Sequence, residues 1–345
     1  MLKRSAKSIL AVLVLFIFLF TLGCGSENKT TDNAPQGETK EQTEQTTTEK
    51  KLRVAAVIPG SINDAGWNAI AYDALLAIER DFGAEISYVE NVPTSDFEER
   101  FRAYATSGYD VIIGHGFEFG DTAMKVAPEF PDVKFIITST DISQAPNLAS
   151  VQTNNYEGGW VVGAIAGIVT EANKVAYVGG MDIPSITWAG NGFVKGAKYT
   201  NPNVEAFEAY TGDFTDAAKA KELMKSYVEK GADVGVGNAD HASLGAIEAC
   251  AESGKKVVGI IANQNDIAPD NVVGSIEFSY AKAISVIIQD ILDGKFEAKF
   301  YNGGFKDGAL IFHPNDNVMT AEQKAKVEEI IKGVADGSID IGTPD

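Results

Sequence analysis

LRVAAVIPGSINDAGWNAIAYDALLAIERDFGAEISYVEN, residues 52–91, carries the pattern on which the fold turns. LRVAAVIPG (52–60) is a short apolar run bounded by Pro-Gly and reads as a strand. AGWNAIAYDALLAIERDFG (65–83) repeats its apolar residues three and four apart, the spacing of a helix with one buried face. EISYVEN (85–91) reads as a strand again. A strand, a helix and a strand in succession predict a parallel pair joined by a crossover helix. Open sheets of this kind hold ligands outside the carboxyl ends of their strands, so the loop around Asn63, Asp64, Trp67 and Asn68 is where one is expected.

The alternation continues outward. DFEERFRAYATSG (96–108) and FGDTAMKVAPEFP (119–131) read as helices between the strands YDVIIGHG (109–116) and VKFIITST (133–140). A second series then begins. EGGWVVGAIAGIVT (157–170) is an apolar helix too short for a membrane span, and its glycines suit close packing between lobes or against a sheet. Strands are read at 174–180, 204–212, 232–238, 256–262 and 271–278, and helices at 188–202, 216–231, 241–254 and 279–294. A helix at 320–335 is followed by DGSIDIGTPD, expected to be a disordered end. The reading is α/β: two doubly wound parallel-sheet lobes with a ligand cleft between them.

The amino terminus has a different character. MLKRSAKS precedes the uncharged run ILAVLVLFIFLF and then TLGCGS, the order of an export signal. Cys24 stands where a lipoprotein signal puts its lipidated cysteine. Residues 25–50 contain no aromatic residue and are expected to form a flexible tether. The chain is therefore read as exported and lipid-anchored at the outer face of a bacterial cell membrane. The other cysteine, Cys250, lies in EACAES and is expected to be a small buried hydrophobe, so no disulfide framework exists. One remaining Cys and three His give little material for zinc, and no metal site or cofactor is expected. Formal charge is −19, and loss of residues 1–23 with Lys3, Arg4 and Lys7 leaves −22, which argues against nucleic acid as a partner.

The predicted strand ends carry aromatic residues beside amides and carboxylates. They are Asn63, Asp64, Trp67 and Asn68; Phe117, Glu118 and Phe119; Asp141; Trp188 and Phe193; Asn238 and Asp240; Asn263; and Glu277. Rings and edge hydrogen bonds together suit a small planar polar ligand. Several of these aspartates are equally well placed as helix caps or turn formers, and the phenylalanines as core. Neither GxGxxG after the first strand, nor GxxxxGK[ST], nor a Gly-x-Ser-x-Gly elbow is present. Without such a motif, no enzyme activity is expected.

Taken in order, SINDAGWNAIAYDAL, YVENVPTSDFEERFRAYATSGYDVIIGHGF, VAPEFPDVKFI, NYEGGWVVGAIAG, NGFVKGAKYTNPNVE and GKFEAKFYNGGFKDGAL resemble the BMP (basic membrane protein) family of substrate-binding lipoproteins of ABC importers. The resemblance covers residues 51 to about 320 and implies the type I periplasmic-binding-protein fold, with three crossovers between lobes. The lobes it implies are 51–152 with 277–302 and 153–276 with 303–320, followed by a helix and tail at 321–345. It further implies a purine nucleoside or base as ligand, an ABC permease as partner and a monomeric binding protein. Trp67 and Phe117 or Phe119 are its candidates in the first lobe, and Trp188, Asn238, Asp240 and Asn263 in the second. Two positions depart from the nucleoside binders: Asn263 stands where they carry Asp, and Glu277 where they carry Lys. The other classes open to such a chain are a ligand-sensing receptor domain, an exported nucleoside hydrolase and an adhesin.

Overall fold

The computed structural model describes residues 50–63 and 67–345. The export signal, Cys24, the tether up to residue 49 and Asp64 lie outside the described residues. Along the chain come β1 (Arg53–Val57), α1 (Trp67–Phe82), β2 (Glu85–Val89), α2 (Phe97–Thr106), β3 (Val111–Gly114), α3 (Gly120–Val126), β4 (Lys134–Thr138) and β5 (Leu148–Thr153). Then follow α4 (Asn155–Val169), β6 (Lys174–Gly179), α5 (Pro184–Thr200), β7 (Glu205–Tyr210), α6 (Ala217–Glu229), β8 (Val234–Asn238), α7 (Ser243–Glu252) and β9 (Lys256–Ile261). The chain closes with β10 (Val272–Phe278), α8 (Tyr280–Leu292), β11 (Phe300–Gly303), β12 (Leu310–Pro314) and α9 (Ala321–Ala335).

These strands form two sheets, ordered β11-β5-β4-β3-β1-β2 and β12-β10-β9-β8-β6-β7. Every neighbouring pair is parallel except β10 and β12. Central strands such as β1 and β8 are buried nearly throughout, as helices on both faces require. The edge strands β2 and β7 have no fully buried residue, and each begins with a glutamate that blunts the edge. In the first lobe, α1 and α8 cover one face and α2 with α3 the other. In the second, α4, α5 and α9 cover one face and α6 with α7 the other. The chain passes between the sheets from β5 to α4, from β10 to α8 and from β11 to β12.

Several expectations need correction. Of the α4 glycines, Gly158 meets a sheet residue, Phe278 of β10, as expected, but the others meet α5 instead: a Cβ on Gly159 or Gly163 would lie 2.1 or 2.0 Å from a carbonyl oxygen of Ala189 or Phe193. Helix α5 starts at Pro184, not near Trp188, because proline's fixed φ suits the first turn of a helix. Trp188 therefore lies inside the helix rather than at its start. The end of the chain is docked, not loose. Tyr156 donates to the Ile341 carbonyl at 2.6 Å and Lys195 reaches Thr343 and Asp345, while Ile339 and Ile341 pack on the second core. Strands β11 and β12, only four and five residues long, were not evident as periodic segments.

Cys250 is 1% exposed, and burial pushes its thiol up to about 12. A native sample treated with iodoacetamide at pH 8 is expected to leave Cys250 unmodified, with full reaction after unfolding, as read by peptide mapping. Rapid native labelling would contradict this burial.

Candidate functional site

Both sheets share one order of their first five strands, with the β1–β3 and β6–β8 junctions as their switch points, since successive helices leave toward opposite faces there. Trp67 is the first residue of α1, directly after the β1 loop. Its ring stacks on His115, centroids 4.0 Å apart, and meets Tyr280 edge-on at 5.3 Å. His115 follows β3 and is fully buried. Its Nε2 lies 2.9 Å from the Trp67 carbonyl, which can only accept, so Nε2 carries hydrogen. Its Nδ1 then accepts from Thr138 Oγ1 at 3.1 Å, and the same hydroxyl accepts from the Gly116 amide at 2.9 Å. Tyr280, the first residue of α8, is 2.9 Å from Ser139 Oγ through its hydroxyl. One aromatic cluster thus joins the ends of β1, β3 and β4 to the crossover from β10.

The loop before Trp67 is held by Asn68, whose Oδ1 accepts from the Gly60 amide at 3.0 Å. A Cβ on Gly60 would stand 2.5 Å from Asn68 Nδ2, so a larger residue there would have to displace the Asn68 side chain. Asn63 is exposed and its amide bonds Ser61 Oγ. Phe117 is 66% exposed in the turn after β3. Glu118 is half-buried, and burial holds its carboxyl above the usual carboxylate range. Asp141 is exposed in the loop after β4.

The phenylalanines stand apart from this group. Phe119 is fully buried and stacked on Phe97 at 3.7 Å, and Phe193 is fully buried in the second core. Both pack beneath the strand ends.

In the second lobe Asn238 ends β8, buried, and donates through Nδ2 to the Tyr177 hydroxyl at 2.8 Å. Tyr177 in turn donates to the Ile186 carbonyl, tying β8 to α5. Asp240 is exposed with φ 48°, Trp188 is half-buried, and Asn263 is exposed and accepts from the Asn265 amide at 3.2 Å. Glu277 Oε2 meets His313 Nε2 at 2.7 Å across the β10–β12 pair. His115, Tyr280 and His313 were not among the residues expected at the site. The strand-end reading of β10 stopped at Glu277; carried on to the first residue of the following helix, it would have found Tyr280, which opens α8 as Trp67 opens α1. Among the described residues, no group of three or more His, Cys, Asp or Glu is arranged to hold a metal, and no helix is long and apolar enough to cross a membrane.

Residues 51–339 match the Bmp family, described as ABC transporter substrate-binding protein PnrA-like. A Bacillus subtilis protein named transcriptional activator protein med is 26% identical over 81% of this chain and 87% of its own length. A Brucella abortus protein named purine-binding protein is 26% identical over 84% of this chain and 83% of its own. The solved structure of an ABC transporter solute-binding protein from Conexibacter woesei has a TM-score of 0.72 at 24% identity. It covers 85% of this chain and 99% of its own, a likeness of fold.

Proposed function

We propose, for a chain that belongs to the PnrA-like ABC transporter substrate-binding proteins, that it captures a purine base or nucleoside between its lobes and delivers it to a membrane permease. The observation that carries this reading is the Trp67 ring, held at a switch point by His115 on one face and Tyr280 at its edge. A purine stacks on such a ring and presents its edge to amides and carboxylates. The similarity to a protein named for purine binding supports the same ligand class.

Capture needs no bond to be made or broken, so this is a binding protein and not an enzyme. The lobe built on the first sheet and the lobe built on the second, which holds β10 with Glu277, close on the ligand, which shifts a pre-existing equilibrium. The crossovers are bonded to each other. The Asn154 amide donates to the Gly303 carbonyl at 2.8 Å, Ser279 to Ala309 at 2.7 Å, and the Phe305 amide to Glu157 Oε1 at 2.7 Å. Asn63, Asp64, Asn68, Phe117, Glu118 and Asp141 complete the first wall, and Trp188, Asn238, Asp240, Asn263 and Glu277 the second. The domain works as a monomer on a lipid at Cys24, with residues 25–50 as tether.

Calorimetric titration of the full chain in detergent with purine bases and nucleosides tests this reading. Saturable one-to-one binding is expected, and heats no larger than dilution for every purine would overturn it. A second reading, a sensor feeding a regulator, is favoured by the relative named as a transcriptional activator. Crosslinking in cells distinguishes the two: capture of a permease supports import, and capture of a regulatory protein supports sensing.

A further inference from the structure

The first lobe carries a groove apart from the Trp67 cluster, between helix α2 and the edge strand β2. Its volume is about 400 Å³, and its walls include Arg53, Val89, Arg100, Tyr104, Ser107 and Tyr109. The two arginines are in opposite states. Arg53 is fully engaged. Its Nε donates to Glu85 Oε1 at 3.0 Å, its Nη1 donates to the Ser107 and Gly108 carbonyls at 2.7 and 3.1 Å, and its guanidinium covers the Tyr109 ring at 4.2 Å. Arg100 is half-buried, and its Nε is buried with no acceptor. Of the four described arginines, Arg53, Arg80 and Arg102 each pair with a carboxylate, and Arg100 pairs with none.

A shortage of acids does not explain this. The chain holds 48 Asp and Glu against 29 Lys and Arg. A guanidinium stays charged and carries five donors, so leaving it half-covered without an acceptor is unfavourable. An anion entering the groove would supply what the chain does not.

The walls also say what kind of anion fits. Glu85 takes up the charge of Arg53, so one positive charge stays unmatched, which suits a monoanion. A carboxylate matches the fork of a guanidinium with two parallel hydrogen bonds. Tyr104 and Tyr109 meet edge-on with centroids 5.0 Å apart, and aromatic walls of this kind favour a ring on the ligand. Burial raises the Tyr104 hydroxyl above its ordinary value, so at neutral pH it remains a donor. The volume falls within the range of small-molecule sites.

We infer that this groove is a second ligand site, separate from the cleft, for an aromatic monocarboxylate. Arg100 pairs with the carboxylate, and the two tyrosines flank the ring.

The test is equilibrium dialysis of the full chain in detergent with radiolabelled benzoate, against a protein-free micelle blank. Benzamide, of the same shape without the charge, is the comparison probe. Benzoate is expected to bind saturably at one site with a Kd tighter than about 1 mM. Benzamide is expected to bind at least roughly 10-fold more weakly, because a charge-assisted pair is about twice as strong as a neutral one. Arg100→Gln is expected to weaken benzoate by at least roughly 10-fold, and Arg100→Lys, which keeps the charge and loses the fork, by less. Thermal melting without benzoate shows that each variant is folded, and the comparison of the two probes on the unaltered chain needs no variant. The inference is overturned by any of three results: no saturable uptake up to about 10 mM benzoate, benzamide binding as well as benzoate, or undiminished affinity in folded Arg100→Gln. None of these outcomes bears on the purine reading of the cleft.

Discussion

Replacing Trp67 by alanine is expected to weaken purine binding by roughly 10- to 100-fold, the largest single loss at the site. The magnitude follows from stacking a base on an aromatic ring, worth about 1–3 kcal/mol by alanine substitution, with 1.4 kcal/mol per factor of ten. Preorganisation adds to it. The ring is fixed before ligand arrives by the His115 stack and the Tyr280 edge, so little rotamer entropy is lost on binding. Trp67→Phe keeps a smaller ring and is expected to recover part of the affinity. Circular dichroism confirms folding and titration calorimetry reads the change. An alanine variant with undiminished affinity would remove Trp67 from the site.

Gly196→Ala is expected to destabilise the second lobe by about 3 kcal/mol or more, against a helix-propensity gain of about 1 kcal/mol. The two terms have opposite sign, and geometry decides between them. A Cβ on Gly196 would sit 1.8 Å from the Trp160 carbonyl oxygen, a backbone atom that cannot swing aside. Helices α4 and α5 would have to separate along their whole contact, loosening Trp160, Phe193 and Tyr156 in the same core. Urea denaturation checks this by the fall in midpoint at unchanged slope. Gly254→Ala is the contrasting substitution. No atom lies within 4 Å of its Cβ position, so only the positive φ of 62° opposes it. A larger loss at Gly254 than at Gly196 would contradict this account of the helix pair.

Much of the fold was legible because parallel strands buried on both faces must be continuous apolar runs, and RVAAV, VIIG and KFIIT are. Strands β11 and β12 were not, because their placement depends on the crossovers and not on a local period. The docked tail was missed for a related reason: DGSIDIGTPD has few apolar residues, and the hydrogen bonds from Tyr156 and Lys195 that hold it come from far along the chain.

At the site, Trp67 could be found from its place after β1. The direction of a ring could not. Phe119 is two residues from the exposed Phe117, yet it turns inward onto Phe97, because consecutive residues of a tight helical turn point different ways. The partnership of Glu277 with His313 depends on antiparallel register between β10 and β12, which a linear reading does not supply.

The most direct test of the central claim is native mass spectrometry of the full chain as purified, followed by denaturing release and identification of any bound small molecule. A purine base or nucleoside is the predicted result. A captured ligand with no purine ring would contradict the purine assignment.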